Sequence, residues 1–260
     1  MFSFNSYTHQ ALLVIAVFLV FTTFWQVVVR VYNIPHFVLP APSDIGKYLI
    51  TLIGQPALWY DLKVTLQETF LGYFFSILIS VIFGVAIFQF NFLEKSLMPY
   101  IVAFQTIPSI ALAPIYLQWF GYGMVSKVVM ATTISCFPIL VNVITGLRAS
   151  SNDEVQMLRA FGASRLQVLL KVRVPNSLPY VFAGLKLGII LSLIGAIVAE
   201  FVGAQAGLGN RILQYNEQFN IPGMFSVLII LGLIGISSHT IISHINARVV
   251  FWVDSHEDKH

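Results

Sequence analysis

A chain of 260 residues that is 57% hydrophobic and only 10% charged is no ordinary soluble domain, since such domains carry about 25% charged residues. With a mean hydropathy of +0.83 it reads as a polytopic membrane protein. The formal net charge of +3 is too mild, and its basic residues too dispersed, for a nucleic-acid binder. The single cysteine, Cys136, excludes an internal disulfide and a cysteine-rich metal site.

In chain order, the first span is expected at 11–29 (ALLVIAVFLVFTTFWQVVV), with Trp25 and Tyr32 as interface anchors. No basic n-region or small-residue cleavage site accompanies it, so it reads as a retained span and not a signal peptide. Residues 33–62 hold Pro35, Pro40, Pro42 and Pro56 and read as an exposed connector with a short helix near 43–53. A second span is expected at 67–90, followed by a short loop with Glu94 and Lys95. The third, 97–119, contains Pro99, Pro108 and Pro114 and is predicted to be kinked or broken. The fourth is expected at 125–147 with Pro138 inside it, the fifth at 178–203 and the sixth at 223–250.

Between the fourth and fifth spans lies the longest polar interruption, 152–175, NDEVQMLRAFGASRLQVLLKVRVP. Ser151 with Glu154 is a capping-box pattern, and Asp153 and Glu154 suit a first helical turn. Val155, Leu158 and Phe161 then form an apolar stripe, which Gly162 ends as a glycine past a helix C-terminus does. Ser164 with Gln167 repeats the capping pattern, Leu166, Leu169 and Leu170 make a second apolar face, and Pro175 closes the element. The segment therefore describes a charged helix–turn–helix held between spans. With this loop on the cytoplasmic side, that side holds Lys95, Arg148, Arg159, Arg165, Lys171, Arg173, Arg248 and Lys259. The other side holds Arg30, Lys47, Lys63 and Arg211, a bias of two to one that places both termini in the cytoplasm.

Inside the spans, Glu200 reads as the acidic residue set deep in an apolar run, and an intramembrane carboxylate is a functional candidate. Interface exposure near the outer end of the fifth span is the plainer reading of it. Gly184 and Gly188 form a G-x-x-x-G that permits close helix approach. Gln105, Thr106, Ser109, Ser135, Asn142 and Ser192, with Glu200, are candidates for a mildly polar translocation path. For each alone, a hydrogen bond to its own backbone or a neighbouring helix is the plainer reading. The chain has no G-x-x-x-x-G-K-[ST], so nothing in it would cradle ATP phosphates, and it has no H-E-x-x-H, G-x-S-x-G or Cys/His cluster.

The hairpin spacing resembles the EAA loop of ABC importer permeases. Gly162 is followed by nine residues and then Val172-Arg173-Val174-Pro175, while Gln156-Met157-Leu158 stands where that family has E-A-A. The wider run GASRLQVLLKVRVPNSLPYVFAGLKLGIILSLIGAIVAEFVGA, with LPAPSDI at 39–45, looks like the subgroup for nitrate, sulfonates, taurine and related solutes, vitamin precursors such as a pyrimidine or flavin among them. The resemblance implies an all-α integral membrane protein of the type I ABC importer permease fold, with six transmembrane helices and a cytoplasmic coupling helix. It implies a bacterial inner-membrane location, a homodimer of this chain in lipid, two ATPase subunits below and an extracytoplasmic solute-binding protein above. ATP and Mg would sit on the ATPase, and no cofactor on this chain. The coupling surface would comprise Gln156, Leu158, Arg159, Phe161, Gly162, Ala163, Ser164 and Arg165. Leu158, Phe161 and Gly162 would meet the ATPase groove, and Arg159 and Arg165 would pair with acidic residues on its rim. The rival reading is a stand-alone carrier or channel driven by an ion gradient, which calls for functional intramembrane charges and often internal repeats.

Overall fold

The computed structural model describes the backbone of residues 4–252 and side chains within it, except at positions 4–8, 10, 11, 91 and 105. Every regular element among the described residues is helical. The order is α1 (Phe4–Val31), α2 (Pro42–Ile53), α3 (Pro56–Gln89), α4 (Asn91–Gln105), α5 (Ser109–Phe120), α6 (Met124–Arg148), α7 (Asn152–Ala160), α8 (Arg165–Val168), a π-helical turn (Leu169–Arg173), α9 (Val174–Gly203), α10 (Leu208–Glu217) and α11 (Ile221–Val249). By length and composition α1, α3, α6, α9 with the segment leading into it, and α11 can each cross a membrane. Segments Phe92–Phe104 and Ser109–Phe120 make a sixth candidate, bent by 98° at the intervening break. Pro108 explains that break: it removes a backbone donor and pushes Ile107 out of helical geometry.

Two expectations for helix boundaries need correction. Residues 56–62 are not connector: α3 begins at Pro56, a residue suited to a first helical turn. The second hairpin helix does not stop at Pro175 either. It passes through the π-turn, where the Val174 N–H reaches back to the Leu169 carbonyl, and Pro175 falls in the first turn of α9. A proline cannot donate to the turn before it, and the widened turn accommodates that loss.

The chain divides into two compact units. One comprises the residues up to Tyr60 with Arg211–Leu231. In it, α2 is fastened to α1 where Gln26 exchanges hydrogen bonds with Ser43 (Oε1 accepting from the Ser43 N–H at 3.0 Å, Nε2 donating to Oγ at 3.1 Å) and where Arg30 pairs with Asp44 at 3.0 Å. Tyr48 of α2 accepts a 2.7 Å hydrogen bond from Asn220, whose other amide atom caps the Gly223 N–H of α11 at 3.0 Å.

The second unit comprises Asp61–Asn210 with the chain from Gly232 onward, and α6 against α9 is its spine. Those two helices approach closely because small residues face each other, the usual solution where lipid supplies no hydrophobic drive between helices. A Cβ on Gly195 would lie 2.7 Å from the Ala131 Cα, and one on Gly188 would lie 2.6 Å from the Ile139 side chain. The α3 helix is turned inside out relative to a soluble helix. Thr65, Glu68, Thr69, Ser76 and Ser80 are buried, while Phe70, Phe74, Phe75, Ile82 and Phe83 face outward.

Candidate functional site

The hairpin between α6 and α9 is built from local chemistry. Ser151 caps α7 by accepting the Asp153 N–H at 3.2 Å. The expected capping box with Glu154 does not form, because that carboxylate accepts from Asn176 of α9 at 2.7 Å instead. This contact ties the start of α7 to the start of α9. At the far end, the Ala163 N–H donates to the Leu158 carbonyl at 3.0 Å and the Gly162 N–H to the Arg159 carbonyl at 2.9 Å. That pair of bonds is a Schellman motif with Gly162, at φ +82°, in the left-handed position. Ser164 and Gln167 then form a complete capping box, with bonds of 2.8 and 3.3 Å.

The apolar stripe of α7 splits in two. Val155 is buried and Leu158 half-buried, so both pin the helix down, whereas Phe161 is 83% exposed. Gln156, Arg159, Gly162, Ser164 and Arg165 are exposed, and Ala163 is half-buried. Met157 and Leu166, absent from the expected coupling surface, are exposed apolar side chains beside Phe161 in sequence. Their signal was available: an apolar residue in a polar helix off its buried stripe needs a partner elsewhere. Two basic residues at the base, exposed Arg148 and half-buried Arg173, are engaged within the chain. Arg148 pairs with Glu94, while Arg173 donates to the Leu147 carbonyl at 3.3 Å and lies 4.6 Å over the Phe88 ring.

A second polar constellation sits at the opposite end of α9, about 40 Å along the helix at ~1.5 Å per residue. Glu200 is 1% exposed, so interface exposure does not describe it. Its carboxylate accepts the Thr65 hydroxyl at 2.6 Å and the Gly209 N–H at 2.5 Å. The Thr65 oxygen in turn accepts the Leu208 N–H at 2.8 Å, and Asp61 accepts the Gly207 N–H at 3.0 Å. The first turn of α10, whose N–H groups have no carbonyl ahead of them, is thus satisfied by side chains of α3 and α9. Lys127, also buried, donates to the Tyr122 and Gly123 carbonyls at 2.8 and 3.0 Å.

Glu68, 1% exposed, was missed as a second buried carboxyl, on the same face of α3 as Thr65, which meets Glu200. The sequence did carry the signal. Asp61, Thr65 and Glu68 recur at i, i+4 and i+7, one face of a helix. Starting the span at 67 cut that face in half.

Between α3, α4, α5, α6 and α9, all within the second unit, lies a cavity of about 630 Å³. Of the polar residues expected along a route, Ser109 lines it. Ser135, Asn142 and Ser192 are spent on the backbone carbonyls of Ala131, Pro138 and Thr69, at 2.7, 2.8 and 2.7 Å. Thr106, at the α4–α5 break, is exposed and donates to the Ala103 carbonyl at 2.7 Å. The side chain of Gln105 lies outside the described residues.

Comparison with known proteins agrees with this architecture. Residues 72–251 match the family model described as binding-protein-dependent transport system inner membrane component. The chain is 33% identical over 245 residues to the formylaminopyrimidine transport permease protein ThiX of Halalkalibacterium halodurans, covering 94% of this chain and 97% of the relative. It is 31% identical over 229 residues to the riboflavin transport system permease protein RibX of Chloroflexus aurantiacus, covering 88% and 85%. With the taurine transport system permease protein TauC of Escherichia coli the identity is 27% over 215 residues, covering 81% and 78%. A chain of the MetNI methionine ABC transporter, solved in inward-facing conformations, superposes with a TM-score of 0.67 at 23% identity, over 75% of this chain and 99% of that one, a likeness of fold. The chain belongs to the binding-protein-dependent transport system inner membrane component family: it is a multi-pass permease subunit of an ABC importer, with ATP hydrolysis left to a separate subunit.

Proposed function

We propose that two copies of this chain form the pathway of an importer for a small organic solute, with the 152–175 hairpin and both termini on the cytoplasmic side. The hairpin seats in a groove of the ATPase, Phe161 entering it with Met157 and Leu166 beside it, and Arg159 and Arg165 meeting acidic groups on its rim. ATP and Mg stay on that partner, and a solute-binding protein delivers substrate from the other side. The observation that carries this reading is mechanical. Capped at both turns and tied to α9 through Glu154 and Asn176, the hairpin moves as a rigid body with the span it leads into. The relatives reported above, named for formylaminopyrimidine, riboflavin and taurine transport, support a small solute. Gentle affinity purification of the tagged chain from native membranes, with mass spectrometry, tests the assembly. Recovery of an ATPase subunit and a binding protein is the expected result. Recovery of the chain alone, transporting in vesicles without ATP, overturns it in favour of a gradient-driven carrier.

A further inference from the structure

The helices α1, α7 and α10 each end in a Schellman turn, and the third departs from the usual residue rule. The left-handed positions are held by Asn33 at φ +47°, Gly162 at φ +82° and Phe219 at φ +52°. At the end of α10 the Phe219 N–H donates to the Asn216 carbonyl at 3.0 Å, and the Asn220 N–H donates to the Tyr215 carbonyl at 2.8 Å. Glycine and asparagine are the ordinary occupants of such a position, and a bulky aromatic is strained in it. The strain is held in place by the next residue. Asn220 donates from its amide to the Tyr48 hydroxyl at 2.7 Å and accepts the Gly223 N–H at 3.0 Å, while the Tyr48 ring meets Tyr215 edge-on with centroids 5.7 Å apart. All of these residues belong to the first unit.

Nothing within the chain uses the ring that this turn holds out. Phe219 is 75% exposed and has no aromatic partner among the described residues. Asn216, Glu217 and Gln218 ahead of it are exposed too, and Glu217 has neither an ion pair nor a hydrogen bond among the described residues. Strain kept at an exposed position marks a site used by something else. We propose that Phe219 is the anchor by which the solute-binding protein docks, its ring entering an apolar pocket on that protein and Glu217 facing a basic side chain on the pocket rim. The inference rests on the permease reading above: α9 crosses the membrane between the hairpin and α10, so the turn between α10 and α11 emerges on the side opposite to the hairpin. Two other occupants fit less well. Anionic lipid headgroups repel Glu217, and interfacial anchoring draws on cationic side chains that this tip lacks. A two-fold contact with a second copy at the tip would set Glu217 against its own counterpart. A ring on a rigid turn, with two side-chain torsions to fix, gives contact area at small entropic cost.

The photoreactive residue p-benzoylphenylalanine, placed at Phe219 in the full chain and irradiated in intact cells, reports what covers the ring. The expected adduct, identified by mass spectrometry, is with a solute-binding protein. An adduct with lipid or with a second copy of this chain, or no adduct, overturns the assignment. Phe219→Gly supplies the independent readout, because glycine relieves the turn while it removes the ring. Its thermal midpoint in detergent holds or rises, while the affinity of the ATPase-loaded permease for the co-purified binding protein falls about 30-fold, the factor set by the ~2 kcal/mol of an aromatic interface anchor. Glu217→Gln slows association and flattens its dependence on salt. A falling midpoint in Phe219→Gly, which would make the ring a packing element of the turn, or an unchanged affinity, also overturns the assignment. The same probe at Phe161 separates the two readings. An ATPase adduct there without a binding-protein adduct at 219 removes the docking assignment alone, whereas absence of any ATPase from the purified complex removes the permease assembly.

Discussion

Gly162 separates two reasons for conserving space in a turn, and its substitution has a calculable cost. A Cβ at this position would meet nothing within 4 Å, so the structure predicts no steric clash for a small side chain. The cost is conformational: φ is +82°, where an ordinary L-residue loses about 1–2 kcal/mol. Asn visits this region more readily than Ala, so Gly162→Asn is the gentle variant and Gly162→Ala the strained one. If a correctly turned hairpin is what the ATPase engages, Gly162→Ala lowers its apparent affinity about 5- to 30-fold, the factor that one to two kcal/mol sets, and Gly162→Asn lowers it less. Gly162→Arg adds a bulky charge at the docking face and abolishes binding. The assay is titration of the ATPase subunit against the permease in nanodiscs, with stimulated ATP hydrolysis measured alongside. Equal behaviour of the Asn and Ala variants, or unchanged ATPase binding by Gly162→Arg, refutes the argument.

Three further outcomes follow from the packing. Gly207 sits at φ +114° with the Glu200 carboxyl directly against its missing Cβ, so Gly207→Ala adds backbone strain to displaced charge-assisted hydrogen bonds. A loss of about 3 kcal/mol or more should appear as a lower midpoint for heat-induced aggregation in detergent. Glu200→Gln, which keeps one acceptor oxygen and turns a donor toward either Thr65 or Gly209 in place of the other, should cost about 1.5–3 kcal/mol, whereas Glu68→Gln, which breaks neither of those bonds, should shift the same midpoint little. Equal damage from both would mean that the bonds from Thr65 and Gly209 are not what Glu200 contributes. Gly195→Val brings a side chain against the Ala131 backbone at 2.7 Å and should cost about 1–3 kcal/mol by overpacking, read as reduced yield and thermal midpoint of the purified chain.

The apolar runs gave away the spans because length and polarity suffice to define a membrane helix. The hairpin was equally legible, since Gly162 and the Ser164–Gln167 pair act on their own neighbours in sequence. What stayed hidden depended on partners far along the chain. Asp61, Thr65 and Glu68 look like the polar end of a connector until residues 200–209, more than a hundred positions later, supply the groups that let them be buried. Pro175 looked like a stop because a proline usually is one, and no periodicity in LLKVR announces that the turn ahead of it is wide. Glu154 was matched to Ser151, its nearest partner, when the folded chain offered Asn176. For the polar residues inside spans, Ser135 and Asn142 donate to carbonyls of their own helix and Ser192 donates to a carbonyl of α3.

The widened turn at Leu169–Arg173 fixes a compass bearing. A π-turn amounts to one surplus residue in an α-helix, and each residue of an α-helix carries the chain around by about 100°. On one side of the turn, Gly184, Gly188 and Gly195 hold α9 in a single orientation against α6. On the other side, Phe161 points out of the hairpin. The azimuth of that ring about the α9 axis is therefore set by a count of residues in one turn. Deleting one position between 169 and 173 would leave every helix intact and swing the ring about a quarter-turn away, disengaging the drive shaft with all of its parts still present.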